Sequence, residues 1–231
     1  MTERGNERLG AVIQRLQRAF VANGPQSDAE LADASRLAER AARRAALERA
    51  GHPLPITTAM HDAIVLGTLS RTSALTAALG WHGLAKPADK TKAPSRPILV
   101  LHGIAGSGKS VAAAAALAQT PGARWASGRT LLECYTGNFG EVLQRRAVLQ
   151  TSSLLVLDGI GDERPDRADA MSDALLDMLA HRVHRRTIVT TRLLMQPFDK
   201  RYNSIPLASL FVESAEVVPI QTHDMRKGGL P

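Results

Sequence analysis

The sequence is poor in cysteine, in aromatic residues and in long apolar runs, and each shortage excludes a class of protein. One cysteine, Cys134, among 231 residues allows no internal disulfide and no cysteine-clustered zinc site, so we expect a buried thiol and a reducing compartment. Aromatic residues make up 3% of the chain, too few for the base-stacking platforms of RNA-recognition and OB-type modules. The longest wholly apolar run, residues 111–118, is far shorter than a membrane span, and the N-terminus lacks the apolar core of a secretory signal. We therefore expect a cytoplasmic protein that does not contact a membrane.

Basic residues, by contrast, are in excess. The chain has 29 Lys and Arg against 22 Asp and Glu, a formal net charge of +7, which favours a polyanionic partner. Because aromatic residues are scarce, a nucleic acid would be contacted mainly through its phosphates. The apolar content of 44% is enough for the core of one ordinary α/β domain and a modest appendage.

The residue pattern of the first eighty residues predicts helices joined by loops and no convincing strand. Ser27 and Glu30 form a capping-box pattern that opens a long helix rich in Ala, Arg and Glu, which ends near Gly51. Residues 86–97 contain three prolines and three lysines, a composition typical of a linker. We thus predict a partner-binding helical region over 1–85, the linker 86–97, a nucleotide-binding core over 98–226 and a tail over 227–231.

The core region alternates short β-rich runs with helical runs. The predicted strands are 98–101, 124–127, 154–157, 187–190 and 217–220, and the predicted helices between them are 109–118, 129–135, 139–149 and 166–183. Alternation of this kind indicates right-handed βαβ units and a parallel sheet. The predicted fold class is therefore α/β, with a five-stranded parallel sheet preceded by a small all-helical domain.

Residues 103–110, GIAGSGKS, match the phosphate-binding pattern G-x-x-x-x-G-K-[ST] between a predicted strand and a predicted helix. In such a loop the glycines let backbone N–H groups turn toward the β-phosphate, and the helix adds its positive N-terminal end. Lys109 is expected to bridge the β- and γ-phosphates, and the Ser110 hydroxyl to bind Mg²⁺. The predicted nucleotide-binding residues are Gly103, Ile104, Ala105, Gly106, Ser107, Gly108, Lys109, Ser110 and Val111.

A second motif lies 49 residues after Lys109. Asp158 directly follows the apolar run 154–157, which places a carboxylate where a Walker B aspartate holds Mg²⁺. The Asn-Lys-x-Asp signature that reads guanine in GTPases is absent from the sequence. We therefore predict ATP and Mg²⁺ as the ligands, with Ser110 and Asp158 on the metal.

Over residues 70–226 the chain resembles the DnaC/IstB group of AAA+ ATPases. The resemblance rests on ALTAA at 74–78, the phosphate loop, LL at 131–132 with the stretch from Phe139, LLVLDGIG at 154–161, RTIVTT at 186–191 and KRY at 200–202. It implies an AAA+ core that binds ATP and Mg²⁺, assembles with further copies of itself and contacts single-stranded DNA. It also implies that the N-terminal helices bind a replicative helicase, as in a helicase loader, or a transposase, as in an IstB-like transposition ATPase.

The sequence departs from that family in its hydrolytic residues. Such proteins usually carry an acid directly after the Walker B aspartate, but here Gly159 follows, so we predict slow hydrolysis with ATP acting as a switch. Glu163, as a catalytic carboxylate, or its neighbour Asp162 would reach the γ-phosphate if the loop folds back; otherwise this is a solvated loop. A non-hydrolysing adaptor and a P-loop kinase remain alternatives.

Three arginines are further candidates. Arg192 replaces the polar residue expected after the fourth strand, and it would contact the γ-phosphate or point to solvent. The segment 206–210 aligns with the family's arginine-finger segment but contains no arginine, and Arg201 is the nearest substitute. The segment HDMR at 223–226 resembles the family's closing Asp-x-x-Arg or Asp-x-Arg element, which implies that Arg226 senses nucleotide in cis.

Basic residues concentrate between His181 and Tyr202, where the net charge is +5. A phosphate-contacting surface and a solvated helix end are both consistent with this excess. The candidate DNA contacts are Arg182, Arg185, Arg186, Lys200 and Arg201.

Overall fold

The computed structural model describes residues 28–51, 58–82, 96–136, 138–202 and 204–221. The chain divides into two compact units, Met1–Ala41 and Ala42–Pro231. In the first unit the structure describes the start of helix α1 (Asp28–Arg49), where Arg36 and Asp33 form an exposed ion pair. The predicted Ala/Arg/Glu-rich helix is thereby confirmed. Most of the predicted linker, the tail and Arg226 lie outside the described residues.

The second unit is built on a parallel sheet whose strands follow the order β2-β3-β4-β1-β5. Its elements after α1 are α2 (Thr58–Leu66), α3 (Ser73–Trp81), β1 (Ile98–His102), α4 (Lys109–Ala118), β2 (Arg124–Ser127), α5 (Gly128–Glu133), α6 (Phe139–Thr151), β3 (Leu154–Ile160), α7 (Ala168–Ala180), β4 (Arg186–Thr191), α8 (Met195–Tyr202), α9 (Ile205–Ser214) and β5 (Ala215–Pro219). The predicted α/β class and the five parallel strands are confirmed. Among the described helices, none is both long and apolar enough to cross a membrane.

Helices cover both faces of the sheet, which explains why strand β1 is buried along its whole length. All five residues of β1 are buried, and neighbouring residues face opposite sides of the sheet. Leu99 and Leu101 pack with buried residues of α2, α3 and α4. Ile98 and Val100 pack with buried residues of α5, α7, α8 and α9. The unit therefore has three layers, with the sheet in the middle.

Helix α3 belongs to the same hydrophobic core as the sheet. It begins after Thr72, whose hydroxyl caps Leu75 N at 3.1 Å, and its Ala74, Ala78 and Trp81 are buried in the cluster that contains α4. Helix α4 is mostly alanine, which allows close approach of neighbouring backbones. The segment 73–81, which precedes the predicted linker, thus lies in the same compact unit as the sheet.

Strand β3 is longer than its apolar pattern predicts. The sequence ends the strand at residue 157, but pairing with β4 resumes at Ile160 and Thr191 after a register shift. Gly159, with φ of +71°, takes the left-handed conformation within this irregular stretch. Asp158 therefore lies inside the strand, at the carboxyl edge of the sheet.

Candidate nucleotide-binding site

The loop between β1 and α4 has the backbone that an anion-binding turn needs. Gly103 has φ of +146°, and a Cβ added there would lie 2.5 Å from the carbonyl oxygen of Ile220, so a larger residue cannot fit. Helix α4 starts after Gly108, which has no side chain to cap the first turn, and the first N–H groups of the helix remain available to an anion. The local sequence thus builds a phosphate cradle at the carboxyl edge of the sheet.

The Lys109 ammonium lies inside this cradle. The residue is 7% exposed, and its Nζ donates to the carbonyl oxygens of Gly103 (2.7 Å) and Ile104 (2.6 Å) and to Ser107 Oγ (3.0 Å). A buried ammonium requires acceptors, and in this structure the loop supplies them. A phosphate oxygen that enters the cradle would exchange with these neutral acceptors and offer a stronger, charge-assisted bond.

Ser110, Asp158 and Thr190 form a polar cluster beside the cradle. Ser110 Oγ and Thr190 Oγ1 both donate to Asp158 Oδ1, at 2.7 and 2.5 Å, and Thr190 Oγ1 accepts from Gly159 N at 3.0 Å. A carboxylate and a hydroxyl suit Mg²⁺, which usually takes one or two protein oxygens and completes its shell with phosphates and water. The residues present therefore fit Mg²⁺, and the structure brings together the two predicted metal ligands.

Thr190 is the member of this cluster that sequence analysis missed. In the sequence, Thr190 is identified only as one residue of the family motif RTIVTT at 186–191, with no role assigned to it. Its contact with Asp158 follows from the pairing of β3 with β4, which is invisible along the chain. The available signal is a hydroxyl residue near the carboxyl end of a predicted strand, where parallel strands place their functional groups.

His102, the last residue of β1, is a second group that sequence analysis missed. Its Nδ1 is buried and makes no hydrogen bond to the residues that the structure describes. Burial and the neighbouring Lys109 charge lower the pKa of His102 below the usual 6.5, so the imidazole is neutral at pH 7. The end of β1 therefore adds no further positive charge to the cradle.

The loop after β3 folds back on itself, which is one of the two possibilities that the sequence left open. Its two acids, Asp162 and Glu163, have different partners. Asp162 N donates to Gly159 O at 3.2 Å, which closes a tight turn. Glu163, whose side chain is 7% exposed, accepts from Gly161 N (2.9 Å), Arg201 Nε (2.8 Å) and Tyr202 Oη (2.9 Å). These bonds tie the loop to α8.

These contacts correct the interpretation of Glu163 as part of a solvated loop. The carboxylate is buried, and donors from the loop and from α8 occupy its two oxygens. Burial and the Glu163 charge raise the pKa of Tyr202, which therefore remains a protonated donor. The hydrogen bond with Glu163 raises the pKa of Arg201. Arg201 thus has a partner within its own chain.

Asp162 instead pairs with Arg192 at the rim of the site. Arg192 Nε lies 3.2 Å from Asp162 Oδ2, and the two side chains are 58% and 37% exposed. Arg192 follows β4 directly, so the ion pair joins the carboxyl ends of two neighbouring strands. The sequence left two alternatives for Arg192, an exposed side chain or a contact with the γ-phosphate. The structure shows a different arrangement, in which Arg192 forms an ion pair with the Asp162 carboxylate next to Gly159.

The assignment of Arg182 as a DNA contact is wrong, because its side chain is 0% exposed. Its guanidinium donates to the carbonyl oxygens of Leu149, Gln150, Ser152 and Arg186 and to the hydroxyls of Ser152 and Thr187, at 2.7 to 3.0 Å. Burial lowers the pKa of Arg182 to about 10, so the group is still charged at neutral pH. Arg182 therefore links α6, α7 and β4 from inside the protein.

The other candidate DNA contacts differ in exposure and in their partners. Arg185 and Lys200 are exposed, whereas Arg186 is half-buried and donates to the ring and carbonyl of His82 at 2.6 and 2.8 Å. Arg186 begins β4 and Arg192 follows its end, so about 20 Å of strand separates them. The basic residues between His181 and Tyr202 are thus divided between the amino end and the carboxyl end of β4.

No protein-family model matches the chain, and neither does any curated protein. Among solved structures, DnaI is similar at 18% identity over 65% of this chain and 81% of that chain, with a TM-score of 0.48. Identity and score at this level transfer no activity to this chain.

Two structures of DnaA are also similar. The AMPPCP-bound DnaA from Aquifex aeolicus matches at 18% identity over 56% of this chain and 41% of its own, with a TM-score of 0.44. DnaA bound to AMPPCP and single-stranded DNA matches at 18% identity over 55% of this chain and 40% of its own, with a TM-score of 0.45. This chain spans about two fifths of those proteins.

Proposed function

We propose that this chain is an ATP-binding AAA+ protein of DNA replication, which delivers a replicative helicase to single-stranded DNA. One observation carries the nucleotide part of the proposal: Ser110 of the phosphate loop and Asp158 of β3 meet at 2.7 Å beside the Lys109 ammonium. An anion cradle with an adjacent oxygen-ligand pair is what a Mg²⁺–nucleotide complex requires. The function rests on this geometry together with the family resemblance of residues 70–226.

In this proposal each residue of the site has a separate task. The first N–H groups of α4 bind the phosphates, and Lys109 moves from its loop carbonyls to phosphate oxygens. Ser110 and Asp158 would hold Mg²⁺, which when bound would neutralise charge on the phosphates. No acid directly follows Asp158, because Gly159 stands there; hydrolysis is therefore slow, and the bound state lasts long enough to act as a switch.

Replacement of Asp158 by asparagine tests the metal site. Asparagine keeps the size of the side chain but removes the charge, and we expect Mg²⁺–ATP affinity to fall roughly 10- to 100-fold. Titration calorimetry with Mg²⁺, and again with EDTA, measures the part of the affinity that depends on the metal. Asp166→Asn, at an exposed position outside the site, is the matched control. An equal loss in EDTA would contradict a metal role for Asp158.

The partner side of the proposal is supported by charge and by the resemblance. The net charge of +7 and the exposed Arg185 and Lys200 suit a DNA backbone, and the N-terminal helices are the proposed helicase-binding region. We place the protein in the cytoplasm and propose that copies assemble side by side. The experiment is capture of a hexameric replicative helicase on circular single-stranded DNA, with ATP and without nucleotide.

The outcome of that experiment separates this function from its rivals. ATP-dependent capture of the helicase supports the loader. Capture of a transposase in its place would indicate an IstB-like transposition ATPase. Transfer of the γ-phosphate to a small acceptor would indicate a kinase, and tight ATP binding with no turnover in the presence of DNA and helicase would indicate a non-hydrolysing adaptor.

The salt dependence of DNA binding tests the two exposed cations. Each phosphate contact to a single strand contributes about 0.7 to the slope of log affinity against log salt. We therefore expect the double variant Arg185→Gln, Lys200→Gln to bind oligothymidine more weakly and with a slope lower by about 1.4. The matched control is Arg129→Gln with Arg145→Gln, two arginines that pair with glutamates of their own helices. Equal slopes for the two double variants would refute the assignment.

A further inference from the structure

We propose that Asp162 supplies the carboxylate that orients the attacking water, in place of the acid that is missing at Gly159, and that Arg192 positions it. The inference rests on the proposed function, because it assigns a residue to ATP hydrolysis. It concerns a side chain three residues beyond the position where an acid is expected.

The turn after β3 brings the Asp162 carboxylate next to Gly159, the position where the family carries an acid. A Cβ added to Gly159 would lie 3.3 Å from Asp162 Oδ2, so this carboxylate occupies the space that a side chain at 159 would enter. The bond from Asp162 N to Gly159 O holds the turn closed. Gly159 N is in turn bonded to Thr190 Oγ1, which also donates to Asp158 Oδ1. Asp162 is therefore tied by a short chain of contacts to the metal-binding aspartate.

The other acid of the loop is not available for this task. Glu163 is bonded to Arg201 and Tyr202 of α8, and its side chain is 7% exposed. Asp162 is 37% exposed at the rim, where water reaches it, and its salt bridge with Arg192 restrains the carboxylate. The buried acid thus anchors the loop to α8, and the half-exposed acid lies at the rim of the site in a salt bridge with Arg192.

The charges around Asp162 show that it shares the electrostatic field of the site. Burial is the largest influence and raises its pKa above the usual 3.8; Asp158 and Glu163 also raise it, whereas Arg192 and Lys109 lower it. These groups come from β3, the loop, the end of β4 and the start of α4. A carboxylate with a raised pKa is a better proton acceptor than an exposed aspartate.

The chemical step is ordinary hydrolysis of the γ-phosphoryl group. The oxygen of water bonds to the γ-phosphorus, the bond from that phosphorus to the β–γ bridging oxygen breaks, and ADP leaves with the bond's electron pair. The proton lost by water passes to Asp162 Oδ and from there to solvent. Charge and atoms balance without a further reactant.

The variant Asp162→Asn tests the inference because it keeps the shape of the side chain and its half-exposed setting. We expect the single-turnover rate of ATP hydrolysis to fall about 100-fold, within the usual range for loss of a positioned acid or base. ATP affinity by calorimetry should stay within about threefold of the wild type, since the carboxylate is not on the phosphates. Asp166→Asn is again the matched control, and its rate should equal that of the wild type.

A titration provides a readout that does not depend on activity. In the nucleotide-free protein, carbon-13 NMR of the Asp162 carboxyl should show a pKa above that of an exposed aspartate. Arg192→Gln should raise it further, because Arg192 favours the ionised form. The hydrolysis rate of the wild type should fall as pH drops through the same value, and Asp162→Asn should lack this acid limb.

The results distinguish failure of this inference from failure of the proposed function. If the wild type does not bind ATP, the proposed function is wrong. If it binds ATP but Asp162→Asn hydrolyses at the wild-type rate, or the wild type never hydrolyses ATP, the role of Asp162 is wrong while nucleotide binding stands. An unshifted carboxyl pKa that is insensitive to Arg192→Gln would likewise overturn it.

Discussion

Replacement of Arg182 by alanine should lower the free energy of unfolding by about 3–5 kcal/mol. The guanidinium satisfies carbonyl and hydroxyl oxygens from α6, α7 and β4 in a place without solvent access. Each buried acceptor that loses its donor costs about 1–3 kcal/mol, and water entering the cavity recovers part of this. Since native domains are stable by only about 5–15 kcal/mol, the variant should be close to unfolding at physiological temperature.

Urea denaturation followed by circular dichroism measures this loss. The matched control is Arg185→Ala, three residues away, whose side chain is exposed and donates a hydrogen bond to Thr151 O; we expect a change within about 0.5 kcal/mol. Arg182→Lys should retain little of the stabilisation, because one ammonium cannot reach acceptors on both sides of the planar guanidinium. If Arg182→Ala were no less stable than Arg185→Ala, the buried network would have no energetic role.

Replacement of Lys109 by alanine should reduce ATP affinity roughly 100-fold or more. Charge-assisted hydrogen bonds contribute about 1.5–3 kcal/mol each, and the Lys109 ammonium lies inside the cradle formed by residues 103–110. Titration calorimetry in Mg²⁺ buffer gives the affinity, and circular dichroism verifies the fold. Lys200→Ala, at an exposed position in α8, removes the same charge from elsewhere in the chain and should bind ATP as the wild type does.

Unchanged ATP affinity in Lys109→Ala would remove the basis of the proposed function. The alanine variant also deprives Gly103 O, Ile104 O and Ser107 Oγ of their donor, so the loop itself changes in the nucleotide-free protein. Binding of inorganic triphosphate, which has the phosphates but no base or sugar, addresses this point. It should weaken in parallel with ATP if Lys109 acts on the phosphates.

The phosphate loop was predictable because all its requirements are local. A buried strand, a turn with glycine at Gly103 and a helix that begins at Lys109 occupy one continuous stretch of about twenty residues. Asp158 could also be placed, since the carboxyl ends of parallel strands share one edge of a sheet. Apolar periodicity likewise identified the five strands, although it ended β3 before Asp158 and began β5 two residues late.

Side-chain partners were not predictable to the same degree. Arg182 and Arg185 are both arginines and lie three positions apart. The Arg182 side chain is buried in the protein, whereas the Arg185 side chain is exposed. Glu163 and Asp162 are adjacent acids, and the turn at Gly159 sends one to α8 and the other to the rim of the site. Neither difference has a signature in composition or spacing.

Fold class and phosphate chemistry are thus written in the order of the residues, because apolar periodicity and a glycine-rich turn act over a few neighbouring positions. Partners such as Ser110 and Asp158, or Glu163 and Arg201, are brought together only when distant segments pack. Burial then determines whether a charge is a surface group or an internal link, and a count of charges along the chain does not contain that information. The basic excess that suggested one DNA-binding surface accordingly became one buried arginine, two ion pairs with acids of the loop after β3, and a small number of exposed cations.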